Sequence, residues 1–84
     1  MQKWYFYIVR CKEDTLYIGI SSNPEQRIKR HNQGQGSKWV KQHGVAKVIY
    51  VEEFNTYLEA HKRELQVKKW SRMKKEKLIK GIWK

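Results

Sequence analysis

The stretch KWYFYIVRCKEDTLYIGI, residues 3–20, decides the fold of this chain. Residues 3–11 are mainly aromatic and β-branched, and residues 16–20 continue the same composition after a polar interruption at residues 12–14. Aromatic and β-branched runs favour β-strands, and a short polar break between two of them favours a hairpin. The sequence therefore predicts two antiparallel strands at the start of the chain.

The length of the hairpin loop determines which side chains share a face of the sheet. If residues 12–14 form the loop, Tyr7 lies opposite Gly19 and Tyr17 lies opposite Val9, all on one face. A two-residue turn would place the two tyrosines on opposite faces. Gly19 has no side chain, so it would leave open space over Tyr7 in the first arrangement.

A first helix is predicted directly after the hairpin. Asn23 is placed to cap it, Pro24 occupies its first position, and Gln26 stands three residues after the cap. We expect the helix to end near Gly34. Residues 33–44 contain three glycines and show neither helical nor strand periodicity, which indicates an exposed basic loop.

The second half of the chain predicts one strand and two helices. Residues 46–54 are apolar and β-branched, Thr56 and Glu59 form a capping box, and Ser71 can cap a last helix that runs towards Lys80. The order β-β-α-β-α-α predicts an α+β fold, a small three-stranded antiparallel sheet flanked by helices. At 84 residues, the chain is expected to form a single domain, residues 1–84.

Charge and composition narrow the class of function. Lysine and arginine number 19 against eight acidic residues, a formal net charge of +11, which favours a nucleic-acid partner over a merely solvated basic surface or an anionic membrane. Cys11 is the only cysteine, so no internal disulfide can form and a cytoplasmic setting is expected. No apolar run approaches the length of a membrane span. With Asp14 as its one aspartate, the sequence does not support a Ser-His-Asp hydrolase.

Arg27, His31 and Glu64 are the first candidates for a functional role. Arg27 and His31 are four residues apart on the first helix and could converge on the tyrosines, or they could form an exposed basic face. Glu64 lies on the more apolar side of the second helix and therefore needs a partner, either Lys68 one turn later or a divalent cation such as Mg²⁺. Its neighbours around the helix are Tyr57, Ala60, Leu65 and Val67.

The ordered set of candidates resembles the GIY-YIG endonuclease domain. Tyr17-Ile18-Gly19 is the second motif letter for letter, and Tyr5-Phe6-Tyr7 stands where the first is expected. Arg27 and Glu64 stand at the positions of the family's arginine and glutamate. Residues 25–32 and 68–72 also resemble the short stand-alone members, so the likeness covers nearly the whole chain.

The resemblance implies a DNA endonuclease that hydrolyses phosphodiester bonds with one Mg²⁺ or Mn²⁺ ion, in DNA repair or processing. It implies that Glu64 holds the metal and that Arg27 holds a non-bridging phosphate oxygen. It further implies that Tyr17 orients or deprotonates the attacking water with the support of Tyr7, and that His31 shuttles a proton.

Basic residues outside this set are expected to position the nucleic acid through its phosphates. These residues are Lys38, Lys41, Lys68, Lys69, Arg72, Lys74 and Lys75. Because phosphate contacts carry no sequence information, we expect binding that is sensitive to salt and indifferent to sequence. A protein partner for targeting is compatible with so small a chain.

Two alternatives remain open from the sequence. A binding module that has lost catalysis is suggested by Ile20, where some members have lysine, and by the absence of any asparagine after Asn55. The other alternative is a tail helix that binds a membrane surface or a protein through apolar residues. Those residues are Leu78, Ile79, Ile82 and Trp83.

Overall fold

The computed structural model describes residues 2–11, 14–30 and 47–82. Its elements are β1 (Trp4–Arg10), β2 (Leu16–Ser21), α1 (Pro24–Arg30), β3 (Lys47–Phe54), α2 (Tyr57–Lys68) and α3 (Arg72–Ile79). The three strands form an antiparallel sheet in the order β2-β1-β3, which confirms the predicted α+β fold. The predicted end of α1 near Gly34 and the loop at residues 33–44 lie outside the described residues.

The hairpin has the longer of the two loops considered from sequence. The Cys11 N–H donates to the Thr15 carbonyl at 3.0 Å, and the Asp14 N–H donates to the Cys11 carbonyl at 2.8 Å. Asp14 has φ of 68°, a left-handed conformation that aspartate tolerates better than most residues. Tyr7 consequently pairs with Gly19, as the three-residue loop predicts.

One face of the sheet carries the main core. Phe6 and Ile8 of β1 are completely buried, and they pack with Val67 of α2 and Leu78 of α3. Burying a large apolar side chain stabilises a fold by about 1.5–3 kcal/mol. These contacts therefore hold α2 and α3 against the β1 strand at the centre of the sheet.

The opposite face carries a smaller cluster that includes a candidate catalytic tyrosine. Tyr7, Val9 and Cys11 are buried on this face, and Ile28 of α1 packs against them. Alternate residues of a strand point to opposite faces, so the strand that builds the core with Phe6 also directs Tyr7 away from it. Buried Cys11 serves as packing in this cluster, as expected for a small apolar side chain.

Helix ends follow the capping residues predicted from sequence. The Glu59 N–H donates to Thr56 Oγ1 at 3.2 Å and the Lys74 N–H donates to Ser71 Oγ at 3.3 Å. The Gln26 N–H donates to Asn23 Oδ1 at 3.2 Å. Each cap satisfies one of the backbone donors that a helix leaves unpaired at its start.

Helix α2 buries a narrower stripe than the sequence suggested. Ala60 and Val67 are completely buried, but Tyr57 and Leu65 are about half exposed. Of the four apolar neighbours of Glu64 around the helix, only Ala60 and Val67 are therefore part of the buried stripe. Leu65 is only about 100° around the helix from Glu64, and this offset is enough to turn it towards solvent.

The apolar residues near the end of the chain serve the core. Leu78 is buried and Ile79 packs against the same cluster, so the tail-helix alternative loses two of the residues on which it depended. Ile82 is exposed, and Trp83 lies outside the described residues. Within the part of the chain that the structure describes, no helix is long and apolar enough to cross a bilayer.

A ring of ion pairs joins the hairpin loop to α3. Arg10 contacts Asp14 Oδ1 and Glu76 Oε1, both at 2.6 Å. Arg72 closes the ring with Asp14 Oδ2 at 3.0 Å and Glu76 Oε2 at 3.2 Å. Arg72, which was expected to contact phosphate, thus contacts two carboxylates that it shares with Arg10.

A second polar cluster fastens β3 to α2. Arg63 donates to both carboxylate oxygens of Glu52, at 2.9 and 3.1 Å. This bidentate geometry strengthens the ion pair. The Tyr50 hydroxyl donates to the same carboxylate. Burial, followed by this hydrogen bond, raises the pKa of Tyr50 to about 12.

We expect this raised pKa to make the protein lose stability in alkali. The unfolded chain releases the Tyr50 proton near pH 10 and the folded chain near 12, so stability present below pH 10 falls as pH rises through this interval. Allowing for solvent screening, the Tyr50 contribution is on the order of 1 kcal/mol.

Urea denaturation of Tyr50→Phe and wild type between pH 9 and about 12 measures the effect. The stability difference between the two proteins should shrink as pH rises. Tyr57→Phe, which removes a hydroxyl from a half-exposed ring, is the matched control. A constant difference for Tyr50→Phe across the interval would contradict the assignment.

Candidate active site

Tyr7 and Gly19 fit together tightly across the hairpin. A Cβ built at Gly19 would lie 2.5 Å from the Tyr7 hydroxyl oxygen and 2.7 Å from the ring carbon that bears it. Both distances are far inside van der Waals contact. The residue at position 19 must therefore lack a side chain for the Tyr7 hydroxyl to occupy its place, and this gives the glycine of the YIG triplet a steric role.

The Tyr7 hydroxyl lies in the fields of an arginine and a glutamate. Burial raises its pKa above the ordinary 10.0, the Arg27 charge lowers it, and the Glu64 charge raises it, with a net increase. Tyr7 is therefore protonated at neutral pH, and its hydroxyl can donate a hydrogen bond there. Helices α1 and α2 thus carry an arginine and a glutamate, from separate parts of the chain, whose charges act on the β1 tyrosine.

The register of the hairpin places Tyr17 on the same face of the sheet as Tyr7. It pairs with Val9 and packs against the cluster that contains Tyr7, which confirms the prediction that the two tyrosines share a face. Arg27 is exposed on α1, next to Ile28, the residue that packs against this same cluster. An exposed guanidinium next to this cluster in the chain suits contact with a phosphate.

The side chain of Glu64 on α2 is mostly buried. Its side chain is 13% exposed, with Lys68 Nζ 3.6 Å from Oε2 and His61 Nδ1 3.3 Å from Oε1. The Lys68 contact is the partner expected from the i,i+4 spacing, although it is longer than a hydrogen bond. His61 was not identified from the sequence; its i,i+3 spacing from Glu64 was the available signal.

The chemistry of these donors fits one divalent cation at Glu64. Neither loose contact fully uses the carboxylate oxygens, and His61 Nδ1 has no hydrogen-bond partner among the described residues. Carboxylate oxygen is the ligand that Mg²⁺ and Mn²⁺ prefer. No group of three His, Cys, Asp or Glu side chains suited to a metal occurs within residues 2–11, 14–30 and 47–82. Water and phosphate would therefore have to complete the coordination.

The residues predicted to contact nucleic acid have different surroundings in the structure. Lys68 lies beside Glu64, and the ammonium of Lys74 lies over the Trp70 ring at 4.4 Å from its centroid. Lys69 is the C-cap of α2, and the Lys75 N–H donates to the Ser71 carbonyl. His31, Lys38 and Lys41 lie outside the described residues.

Ile20 does not belong to the tyrosine face. It pairs with Phe6 and packs against the main core, on the side of the sheet opposite Tyr7 and Gly19. Its side chain therefore helps to hold the sheet on α2 and α3. Ile20 suggested an inactive binding module from the sequence. In the structure, it does not affect the arrangement of Tyr7 and Tyr17.

Comparison with known proteins agrees with the fold and with the family that the sequence resembles. The family model described as the GIY-YIG catalytic domain matches residues 3–77. The UPF0213 protein SSP2268 of Staphylococcus saprophyticus is 48% identical over 79 residues, covering 94% of this chain and 96% of that protein.

Two structures solved by NMR in solution have the same fold. The protein EF2693 of E. faecalis has a TM-score of 0.67 and 34% identity, covering 96% of this chain and 86% of that one. The UPF0213 protein BH0048 of Bacillus halodurans has a TM-score of 0.61 and 35% identity, covering 93% and 83%.

Proposed function

This chain belongs to the GIY-YIG family of nuclease-type domains, and from this premise we propose its function. We propose that it is a metal-dependent endonuclease that hydrolyses phosphodiester bonds in DNA. The observation that carries the proposal is the close fit of the Tyr7 hydroxyl over Gly19, at a tyrosine on which the charges of Arg27 and Glu64 both act. We further propose a role in DNA repair or processing, with preference for the structure of the DNA over its sequence.

Each residue of the group suits one task in the hydrolysis of a phosphodiester. Arg27 binds a non-bridging oxygen and compensates the charge that grows on the phosphate. Tyr7, protonated at neutral pH, donates a hydrogen bond to an oxygen in the site. Tyr17 orients the attacking water or accepts its proton, and His31 passes a proton to solvent or to the departing oxygen.

Glu64 is the residue that would hold the divalent ion. When bound, such an ion polarises the phosphate and stabilises the charge on the departing oxygen. Lys68, 3.6 Å from Glu64, is placed to bind a neighbouring phosphate once the carboxylate is engaged. The Trp70 ring, which contacts both Arg63 and Lys74, supports the basic surface that continues into α3.

Nicking of supercoiled plasmid and of labelled branched DNA by the purified protein tests the proposal. We expect cleavage with Mg²⁺ or Mn²⁺, none with EDTA, and loss of cleavage in Arg27→Ala. A folded wild-type protein that binds DNA and leaves it intact under all these conditions would overturn the endonuclease proposal. That result would favour a nucleic-acid-binding module of the same fold.

Binding should depend strongly on salt because it relies on phosphate contacts. In EDTA, we expect the logarithm of the affinity to fall linearly with the logarithm of the salt concentration, with the slope reduced by about one unit in Lys68→Gln. Fluorescence anisotropy of a labelled duplex measures the slope. Lys62→Gln is the control, because it makes the same charge change about 120° away around α2. A slope equal to that of wild type in Lys68→Gln would exclude this lysine from the interface.

A further inference from the structure

The imidazole of His61 has a buried nitrogen that the fold leaves unused. Its Nδ1 has no hydrogen-bond partner among the described residues, although the ring as a whole is partly exposed. The Tyr57 ring stacks on it, with centroids 5.7 Å apart and planes 11° apart. Buried polar atoms without partners are uncommon in folded proteins, and a bound ion is one of the explanations for such an atom.

The nearest polar atom to this nitrogen is a carboxylate oxygen. Nδ1 lies 3.3 Å from Glu64 Oε1, but the pair does not satisfy hydrogen-bond geometry. Nitrogen and oxygen ligands lie about 2.0–2.2 Å from metals such as Zn²⁺, so two neighbouring ligands of one ion are roughly 2.8–3.6 Å apart, the longer separations belonging to tetrahedral sites. The observed separation falls within that interval.

The local structure already holds both groups on one side of a helix. His61 and Glu64 are three residues apart on α2, which places their side chains next to each other. The edge of Trp4 packs against Tyr57, with centroids 5.1 Å apart, and Tyr57 in turn covers the His61 ring. The imidazole is therefore oriented by aromatic contacts, and its Nδ1 faces the carboxylate without help from a hydrogen bond.

We propose that His61 Nδ1 and Glu64 Oε1 bind the same divalent ion. This inference rests on the proposed function in taking Glu64 as the metal ligand, and it adds a nitrogen ligand three residues earlier. A mixed nitrogen and oxygen pair binds Mn²⁺, Co²⁺ and Zn²⁺ better than Mg²⁺, which strongly prefers oxygen. With two protein ligands, the ion keeps positions for water and for a phosphate oxygen.

Direct metal binding by the full chain tests the inference without any cleavage assay. Calorimetric titration gives the affinities for Mn²⁺ and Mg²⁺ in wild type, His61→Phe, Glu64→Gln and the control Lys62→Gln. Phenylalanine keeps a ring against Tyr57 and removes the nitrogen. We expect His61→Phe to weaken Mn²⁺ binding by at least about tenfold and Mg²⁺ binding much less, with Lys62→Gln unchanged.

A second measurement identifies the ligating atom. In long-range ¹H–¹⁵N spectra of the histidine rings, addition of Zn²⁺ should shift the Nδ1 resonance of His61, and Glu64→Gln should abolish that shift. An unshifted His61 Nδ1, or unchanged Mn²⁺ affinity in His61→Phe, overturns the inference. If Glu64→Gln still abolishes binding in that case, the proposed metal ligand of the nuclease stands. If it does not, Glu64 fails as a metal ligand as well.

Discussion

Glu64→Gln is expected to lower the rate of DNA cleavage by at least about a thousandfold while it changes DNA affinity by less than about threefold. The substitution keeps the size of the side chain and removes its charge. Glu64 is 13% exposed and its charge acts on Tyr7, so the substitution removes a charge at the proposed metal ligand. The loss should therefore fall on the chemical step.

Single-turnover cleavage with excess protein separates this step from binding. Glu59→Gln provides the matched control, because it makes the same change on an exposed position of α2 and preserves an acceptor for the Thr56 hydroxyl. The control should cleave at the wild-type rate. Near-normal cleavage by Glu64→Gln would remove this carboxylate from the mechanism.

Gly19→Ala is expected to lower cleavage by about a hundredfold, because a displacement of about 1 Å at a reacting group has an effect of that size. The new methyl group would lie 2.5 Å from the Tyr7 hydroxyl oxygen, so the buried ring must move. Overpacking of this kind costs about 1–3 kcal/mol of folding stability, which should leave the protein folded.

A double-mutant cycle with Tyr7→Leu identifies the cause of that loss. Leucine removes the hydroxyl and the end of the ring, so adding Gly19→Ala to Tyr7→Leu should cost little further stability. Urea denaturation gives the coupling energy, and single-turnover cleavage gives the rate. Wild-type cleavage by Gly19→Ala would show that the position of the Tyr7 hydroxyl has no role in the reaction.

Features set by neighbouring residues were predictable from the sequence. The three-residue loop determined the pairing of Tyr7 with Gly19, and Asn23, Thr56 and Ser71 each cap a helix as local patterns predicted. In both cases, the interacting atoms are a few residues apart or are linked by strand pairing, so spacing alone carries the information. We also propose that residues 1–84 form a single domain, since the core joins β1 to α3.

Features set by tertiary contacts were not predictable. Pairing of Arg72 with Asp14 depends on how α3 lies across the hairpin loop, which no local pattern determines. The exposure of Leu65 depends on the rotation of α2 on the sheet, and the irregularity of β3 opposite Ile8 and Val9 depends on how the strand bends. The helical pattern drew attention to Glu64, but it did not predict that His61 Nδ1 beside it would lack a hydrogen-bond partner among the described residues, because that too depends on tertiary contacts.

The ion-pair ring between the hairpin loop and α3 also constrains when the protein can fold during synthesis. Arg10 and Glu76 are 66 residues apart, and Leu78, which completes the core over Phe6 and Ile8, lies further still along the chain. A nascent hairpin on the ribosome therefore exposes an apolar sheet face until α3 has been made. Premature termination before residue 72 would leave the part of that face that α3 covers exposed and prone to aggregation, so a truncated chain is expected to be less soluble than the full one.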